Sequence, residues 1–441
     1  MAASVSSTAL ALHGGPPAVT VPHRDRWERI GPAEIESVVA LLQRGAGSPT
    51  SMYDEIDLFE AEFRRFTGAR FALAQCNGTS TIHSAVFAAG VRPGDEVIVP
   101  SYTWHASITP ILHCGGTIVF CEIDPRTHTA DPADVARRIT PRTKAIVVTH
   151  VYGNVAKMDE LIALSRQHGI GLIEDCSHAH GATYDGQAVG TIGDIGCFSL
   201  QASKAVMGVE AGVVTTNNPE LYDRMVVLGH YGRIQRQLVG DTYRDLHDIG
   251  LGVKYRANPM AMAMARVQLR RLPQLNERRR ATFAFLDRAL GEIPGIRPVE
   301  TYPQAIRGGL LQYTATYDES VVGAPLGVFL KAVIAEGVTT QPTITPLGYG
   351  RMHLEPLFND FPLESLGGPW GMPGFITRHR YAPGSLPVSE AVAGRVFWLP
   401  AFADPEPGLL EQYVDAIRKV VANAHQLAGE PAVATAGQAG G

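Results

Sequence analysis

Between residues 70 and 216, short apolar runs recur at intervals filled by helical patterns, and that alternation leaves few folds open to the chain. The runs are Glu96-Val97-Ile98-Val99-Pro100, Thr117-Ile118-Val119-Phe120, Lys144-Ala145-Ile146-Val147-Val148, Gly171-Leu172-Ile173, Cys197-Phe198-Ser199-Leu200 and Gly212-Val213-Val214-Thr215. They are too short for helices and continuous in apolar character. They predict strands buried on both faces, in a mostly parallel sheet between helical layers. A long helix is predicted from about Met260 to Phe285, carrying the Arg278-Arg279-Arg280 run. That run reads as a solvated helix face, with binding of a substrate phosphate as its other use. Beyond Gly295, Pro and Gly punctuate the chain up to Pro400, and a last helix is predicted from Leu409 to Ala424.

The 38 Lys+Arg against 43 Asp+Glu, a net charge of -5, leave no electrostatic footprint for nucleic acid or an anionic membrane. A small-molecule substrate is the default. The five cysteines are dispersed and lack paired C-x-x-C spacings, which fits a reducing compartment. Met1-Ala2-Ala3-Ser4 opens without a basic region, and no apolar run approaches the ~20 residues of a membrane span. The expectation is a cytoplasmic protein with no membrane or nucleic-acid partner.

In an α/β sheet, ligands bind beyond the carboxyl ends of the strands, and the residues there are chemically loaded. Glu174-Asp175 ends one predicted strand, followed by Cys176, His178 and His180. Asp175 suits a partner for a protonated ring nitrogen, and equally a helix N-cap. Cys176, His178 and His180 could be read as metal ligands, but no second cluster matches them and no metal is expected. Lys204 follows Cys197-Phe198-Ser199-Leu200, where its uses are a Schiff base with an aldehyde cofactor or a solvated surface position. Cys76-Asn77-Gly78-Thr79-Ser80 opens a helix in the manner of a phosphate site, with Gly78 and Thr79 as donors and Ser199 as a neighbouring one; plain capping has the same look. Trp104, after Val99-Pro100, could stack on a planar ring or serve the core.

Phosphate cradle, stacking aromatic, ring-nitrogen carboxylate and lysine are together the parts of a pyridoxal 5'-phosphate site. At Gly94-Asp95-Glu96, His150-Val151-Tyr152-Gly153, Glu174-Asp175, Ser199 to Lys204, Glu210-Ala211-Gly212 and Gln268-Leu269, the chain resembles the DegT/DnrJ/EryC1/StrS family of sugar and cyclitol aminotransferases. The resemblance runs from about Leu10 to Ala424. It implies an α/β protein of fold type I: an N-terminal arm (1–30), a large mostly parallel cofactor domain (31–258), a connecting helix (259–292), a smaller α+β domain (293–427) and a disordered tail (428–441). It also implies catalytic roles for Lys204, Asp175 and His178. Lys204 would carry the cofactor, Asp175 would pair with the ring nitrogen and His178 with the ring hydroxyl. Trp104 would stack on the ring, while Gly78, Thr79 and Ser199 would hold the phosphate.

The family builds its site at a homodimer interface, where an Asn of a G-x-N-x-R segment reaches the partner's phosphate. Here the segment is Gly252-Val253-Lys254-Tyr255-Arg256, with Lys254 in that place. Ala211 replaces a family Gly, and Thr340 to His353, in the substrate-lining region, departs most. Lysine at 204 separates the aminotransferases from the sugar 3-dehydratase branch, which has His there. The resemblance implies transfer of an amino group from L-glutamate or L-glutamine to the ketone of a nucleotide-linked sugar or a cyclitol. A dehydratase such as an aminodehydroxybenzoate-forming enzyme and a non-catalytic cofactor-binding regulator stand as rivals. A nicotinamide dehydrogenase is disfavoured because no G-x-G-x-x-G follows an early strand.

Overall fold

In the computed structural model, residues 9–45, 49–342 and 349–430 are described. Seven strands form the central sheet: β1 (Phe71–Gln75), β2 (Glu96–Pro100), β3 (Thr117–Cys121), β4 (Thr143–Thr149), β5 (Gly171–Asp175), β8 (Ile195–Ser199) and β9 (Gly212–Thr216). Their order is β1-β9-β8-β5-β4-β2-β3. Neighbours from β8 to β3 are parallel, and β9 alone runs against the rest. All six apolar runs are strands of this sheet. Successive residues alternate between two cores: Ile98, Val119, Ile146, Val148 and Leu172 pack on one face, and Val97, Val99, Phe120, Val147 and Ile173 on the other. Burial of both faces explains the continuous apolar reading of these runs.

The helix Pro259–Gly291 is longer than the spacing alone predicted, 33 residues or about 50 Å. Its first half packs Leu269, Leu272 and Leu275 against the large sheet, and its second half packs Phe283, Leu286 and Leu290 into a separate core. That second core covers a four-stranded sheet of order β10-β12-β14-β13, with β10 (Ile296–Pro298), β12 (Gln312–Tyr317), β13 (Gln341–Pro342) and β14 (Val396–Pro400). The helix Leu409–Ala422 closes it through Tyr413, Ile417 and Val420. A three-stranded sheet, β11-β6-β7, joins β6 (Thr183–Tyr184) and β7 (Gln187–Ala188) to β11 (Ala305–Ile306). Leu10 is fully buried in the second core, so the N-terminal segment is fastened to the far end of the chain. Residues 431–441 of the expected disordered tail lie outside the described residues; Glu430, just before them, pairs with Lys331 at 2.9 Å. Among the described residues no helix is long and apolar enough to cross a membrane.

Glu174 and Asp175, adjacent at the end of β5, point to opposite faces of the sheet. Glu174 is wholly buried and accepts hydrogen bonds from the backbone N–H groups of Gly190 (3.0 Å), Ile192 (2.9 Å) and Gly193 (2.7 Å). It also pairs with His150 Nε2 at 3.0 Å. His150 Nδ1 accepts from Ala156 N–H, so Nε2 carries the ring proton. The metal reading of Cys176, His178 and His180 finds no such grouping: among the described residues the metal-type donors that converge, within 4.8 Å of one another, are His150, Glu174 and Cys176. Both His150 nitrogens and both Glu174 oxygens are already committed to hydrogen bonds. Burial holds the Cys176 thiol protonated, well above its usual range. This cluster is a brace under the sheet.

Candidate active site

The carboxyl ends of β2, β4, β5 and β8 open into a cleft of about 760 Å³, lined by Gly78, Thr79, Trp104, Asp175, His178, Ser199 and Lys204. Seven of the eight site residues read from the sequence therefore converge. Lys254 does not: it is exposed, bridges the backbone of His230, and is absent from the cleft wall of its own chain.

The Asp175 carboxylate is held by two groups, one on each oxygen. Its Oδ1 accepts from Ser177 N–H at 3.0 Å and its Oδ2 from Ser107 Oγ at 2.6 Å. Ser107 continues a chain of buried hydroxyls, Ser107–Thr103–Thr149, at 3.0 and 2.7 Å. Each carboxylate oxygen keeps acceptor capacity toward the cleft, so the group is oriented and still available for a cationic N–H.

Lys204 sits on the connection between β8 and the reversed β9. Hydrogen bonds from Leu200 N–H to Ala211 O, Ala202 N–H to Val209 O and Gly208 N–H to Leu200 O hold that connection on both sides. Burial lowers the Lys204 amine to about 8, against the opposing charges of Asp175 and Glu210. An amine so placed is a nucleophile near neutral pH.

The helix Gly78–Ala88 points its N-terminus into the cleft. Asn77 caps it by accepting from Ser80 N–H at 2.7 Å, which leaves the amides of the first turn nearest the cleft for an anion. Gly78 packs directly on Ser199: a Cβ there would lie 2.6 Å from Ser199 Cβ. The Gly78→Ala variant must push Ser199 away from the helix start. We expect its affinity for a phosphate-bearing cofactor to fall about 10- to 100-fold with the fold retained, measured by equilibrium titration of the apoprotein.

His178 is buried and stacks on Tyr152, with ring centroids 5.7 Å apart. Its Nδ1 accepts from Tyr152 N–H at 3.1 Å, so the proton lies on Nε2, 2.6 Å from the Tyr349 hydroxyl. Burial and the nearby Lys204 charge drive its pKa well down, and His178 is neutral. Tyr349 in turn stands between Trp104 (5.7 Å) and Tyr152 (4.9 Å). This aromatic wall was missed in the sequence because Tyr349 lies in the region that departs from the family pattern. Residues 343–348 of that region lie outside the described residues.

Arg279 was also misread. The Arg-rich run is not a solvated face: Arg279 is 9% exposed and lines the cleft, while Arg278 pairs with Asp404 and lies over the Trp27 ring. A signal was available, since Leu272, Asn276, Arg279, Phe283, Leu286 and Leu290 recur at three- and four-residue steps and form one buried stripe.

A carboxylate, a low-pKa amine, an anion-binding helix start and an aromatic wall form the donor set that a phosphorylated, aromatic aldehyde cofactor requires. Residues 28–360 match the DegT/DnrJ/EryC1/StrS aminotransferase family. The chain is 35% identical over 353 residues to an L-glutamine:2-deoxy-scyllo-inosose aminotransferase of Streptoalloteichus tenebrarius, covering 78% of this chain and 83% of the relative. A Micromonospora echinospora enzyme of the same description is 32% identical over 435 residues, 96% of this chain and 100% of the relative. Among solved structures, 3-amino-5-hydroxybenzoic acid synthase superposes with a TM-score of 0.74 at 26% identity, covering 92% of this chain and all of that one. With its strand-end lysine and aspartate in place, the chain belongs to the DegT/DnrJ/EryC1/StrS aminotransferase family and is a pyridoxal phosphate-dependent aminotransferase of fold type I.

Proposed function

We propose that the enzyme moves the amino group of L-glutamine onto the ketone of a cyclitol in aminocyclitol biosynthesis. The observation that carries this reading is the convergence of Lys204, Asp175 and the Gly78 helix start in one cleft, in a chain that aligns along 96% of its length with a glutamine:keto-cyclitol enzyme. The bound cofactor supplies an aldehyde carbon and an electron-withdrawing ring. The Lys204 amine would hold the cofactor at that carbon, and as a general base it would move a proton of the donor. Asp175 would keep the ring nitrogen protonated, and Gly78, Thr79 and Ser199 would hold the phosphate. Trp104 would cover the ring, and the His178–Tyr349 pair would meet its hydroxyl.

Lys204 in place of histidine favours transamination over sugar dehydration. We further propose that a homodimer completes the site. Leu246, Ile249 and Leu251 are exposed just ahead of Lys254, with Ile249 at 73%, and Cys76 N–H bonds Tyr255 O beside the phosphate-binding helix start. An apolar strip there suits a second copy, and Lys254 would reach the partner's phosphate as a point charge.

The test adds L-glutamine alone to the loaded enzyme, then 2-deoxy-scyllo-inosose. The visible cofactor band is expected to bleach on the first addition and return on the second, with aminocyclitol formed. A band that bleaches with glutamine and returns only with nucleotide-linked keto sugars would replace the acceptor. A band that no amino acid bleaches would overturn the donor half of the proposal.

A further inference from the structure

One wall of the cleft is chemically unlike the cofactor floor. Asp25, Trp27, Arg29, Arg279, Trp398 and Phe402 line it, so two arginines stand among apolar rings. The Arg279 guanidinium reaches it from the middle of the long helix, nine-tenths buried. Its Nη1 donates to Gly309 O (2.7 Å) and Leu310 O (3.3 Å), while its buried Nε has no hydrogen-bond partner among the described residues. Arg29 is anchored to the lysine loop, donating to Ala202 O (2.6 Å) and Lys204 O (3.2 Å).

A buried cation ordinarily has an acid partner. The acid on this wall, Asp25, forms no ion pair with either arginine among the described residues. Its Oδ1 accepts from Trp27 N–H and Asp404 N–H and its Oδ2 from Ala403 N–H, so it caps a backbone turn. Two positive groups thus face one negative one. Burial and the Arg29 charge bring the Arg279 guanidinium down to about 10, against the pull of Asp25. An anion entering here gains the charge-assisted hydrogen bonds that the chain itself leaves unmade, between apolar walls that strengthen them.

We infer that Arg279, with Arg29 beside it, binds the carboxylate of the amino donor and of the 2-oxo acid it becomes. The inference rests on the aminotransferase activity and adds a residue to its donor side. A carboxylate is favoured over the diphosphate of a nucleotide-linked acceptor because the cyclitol enzymes aligned above take an acceptor named without a nucleotide. The alternative anion is left as an outcome of the test.

The experiment compares the holoenzyme with its Arg279→Lys and Arg29→Gln variants. Lysine can still donate to the carbonyls of Gly309 and Leu310, so Arg279→Lys keeps that tether while losing the guanidinium fork. Two half-reactions are followed separately: one with L-glutamine, and the reverse one with 2-deoxy-scyllo-inosamine, an amine without a carboxylate. The half-saturating glutamine concentration is expected to rise roughly 100-fold in Arg279→Lys, with the inosamine reaction of that variant unchanged within twofold, and about 10-fold in Arg29→Gln. In parallel, calorimetric titration with 2-oxoglutaramate, the 2-oxo acid that glutamine becomes, is expected to show binding to the wild type and its loss in Arg279→Lys. Equal losses in both half-reactions, no loss in either, or a loss confined to nucleotide-linked acceptors would overturn the assignment. If the wild type converts no amine at all, the activity reading fails, and the titration still decides the arginine pair.

Discussion

The Lys204→Ala variant is expected to lose at least four orders of magnitude in turnover while folding normally and still binding the cofactor's phosphate. In the function proposed, the lysine would both hold the cofactor covalently and move the proton as a base. Removal of a proton-transfer group alone costs about 10²–10⁴-fold, and loss of the nucleophile adds to that. Borohydride reduction followed by peptide mass analysis checks it: the wild type is labelled at Lys204 and the variant at no lysine. The same side chain sets a pH dependence. With its amine brought down to about 8, roughly one lysine in ten is neutral at pH 7, against roughly one in three thousand at the ordinary pKa. Capture of cofactor by the wild-type apoprotein should therefore fall about tenfold per pH unit below 8 and level off above it. A midpoint near 10 would show that the amine is not desolvated.

Asp175→Asn is the second large effect. Asparagine has the same shape, and its carbonyl can still accept from Ser177 N–H, so the strand end stays in place, while its amide replaces the oxygen that accepts from Ser107 and that hydroxyl must turn its proton to Thr103 and accept instead. What disappears is the negative charge that, in the function proposed, would keep the ring nitrogen protonated. We expect the rate to fall about 10³-fold, the scale of a lost charge at a preorganised site, while cofactor affinity changes less than tenfold because the phosphate end is untouched. Pre-steady-state absorbance separates the two quantities. Parallel losses of rate and affinity would mean that Asp175 shapes the site without acting on the ring.

The features visible in the sequence are those whose cause is local. A strand buried on both faces has to be apolar throughout, so the sheet could be read from its runs, and the residue just after such a run stands at the cleft. Asp175, Lys204 and Trp104 are of this kind. Gly78 is as well, through the cap residue and hydroxyls that start its helix. Tyr349 and the Thr103–Ser107–Thr149 chain are of the opposite kind: their partners come from segments 46 to 171 residues away, and nothing in their own surroundings marks them. Arg279 lies between. Its three- and four-residue periodicity marks it as buried, whereas its charge argues for solvent. The acid pair at 174–175 shows the remaining difficulty, since neighbouring carboxylates of one strand serve unrelated ends and only the pleat decides which is which.

The reversed strand β9 bears on how this protein can change over evolutionary time. The other strand ends of the cleft are reached through crossovers that leave the sheet and return, and such connections accept inserted residues at their outer bends at little cost. Lys204 instead rides a hairpin whose two sides are zipped to each other, so one added or deleted residue would shift the amine along the sheet or turn it to the wrong face. Variation in chain length among enzymes built this way should collect in the crossovers and the small sheet, and leave the spacing from Ser199 to Gly212 untouched.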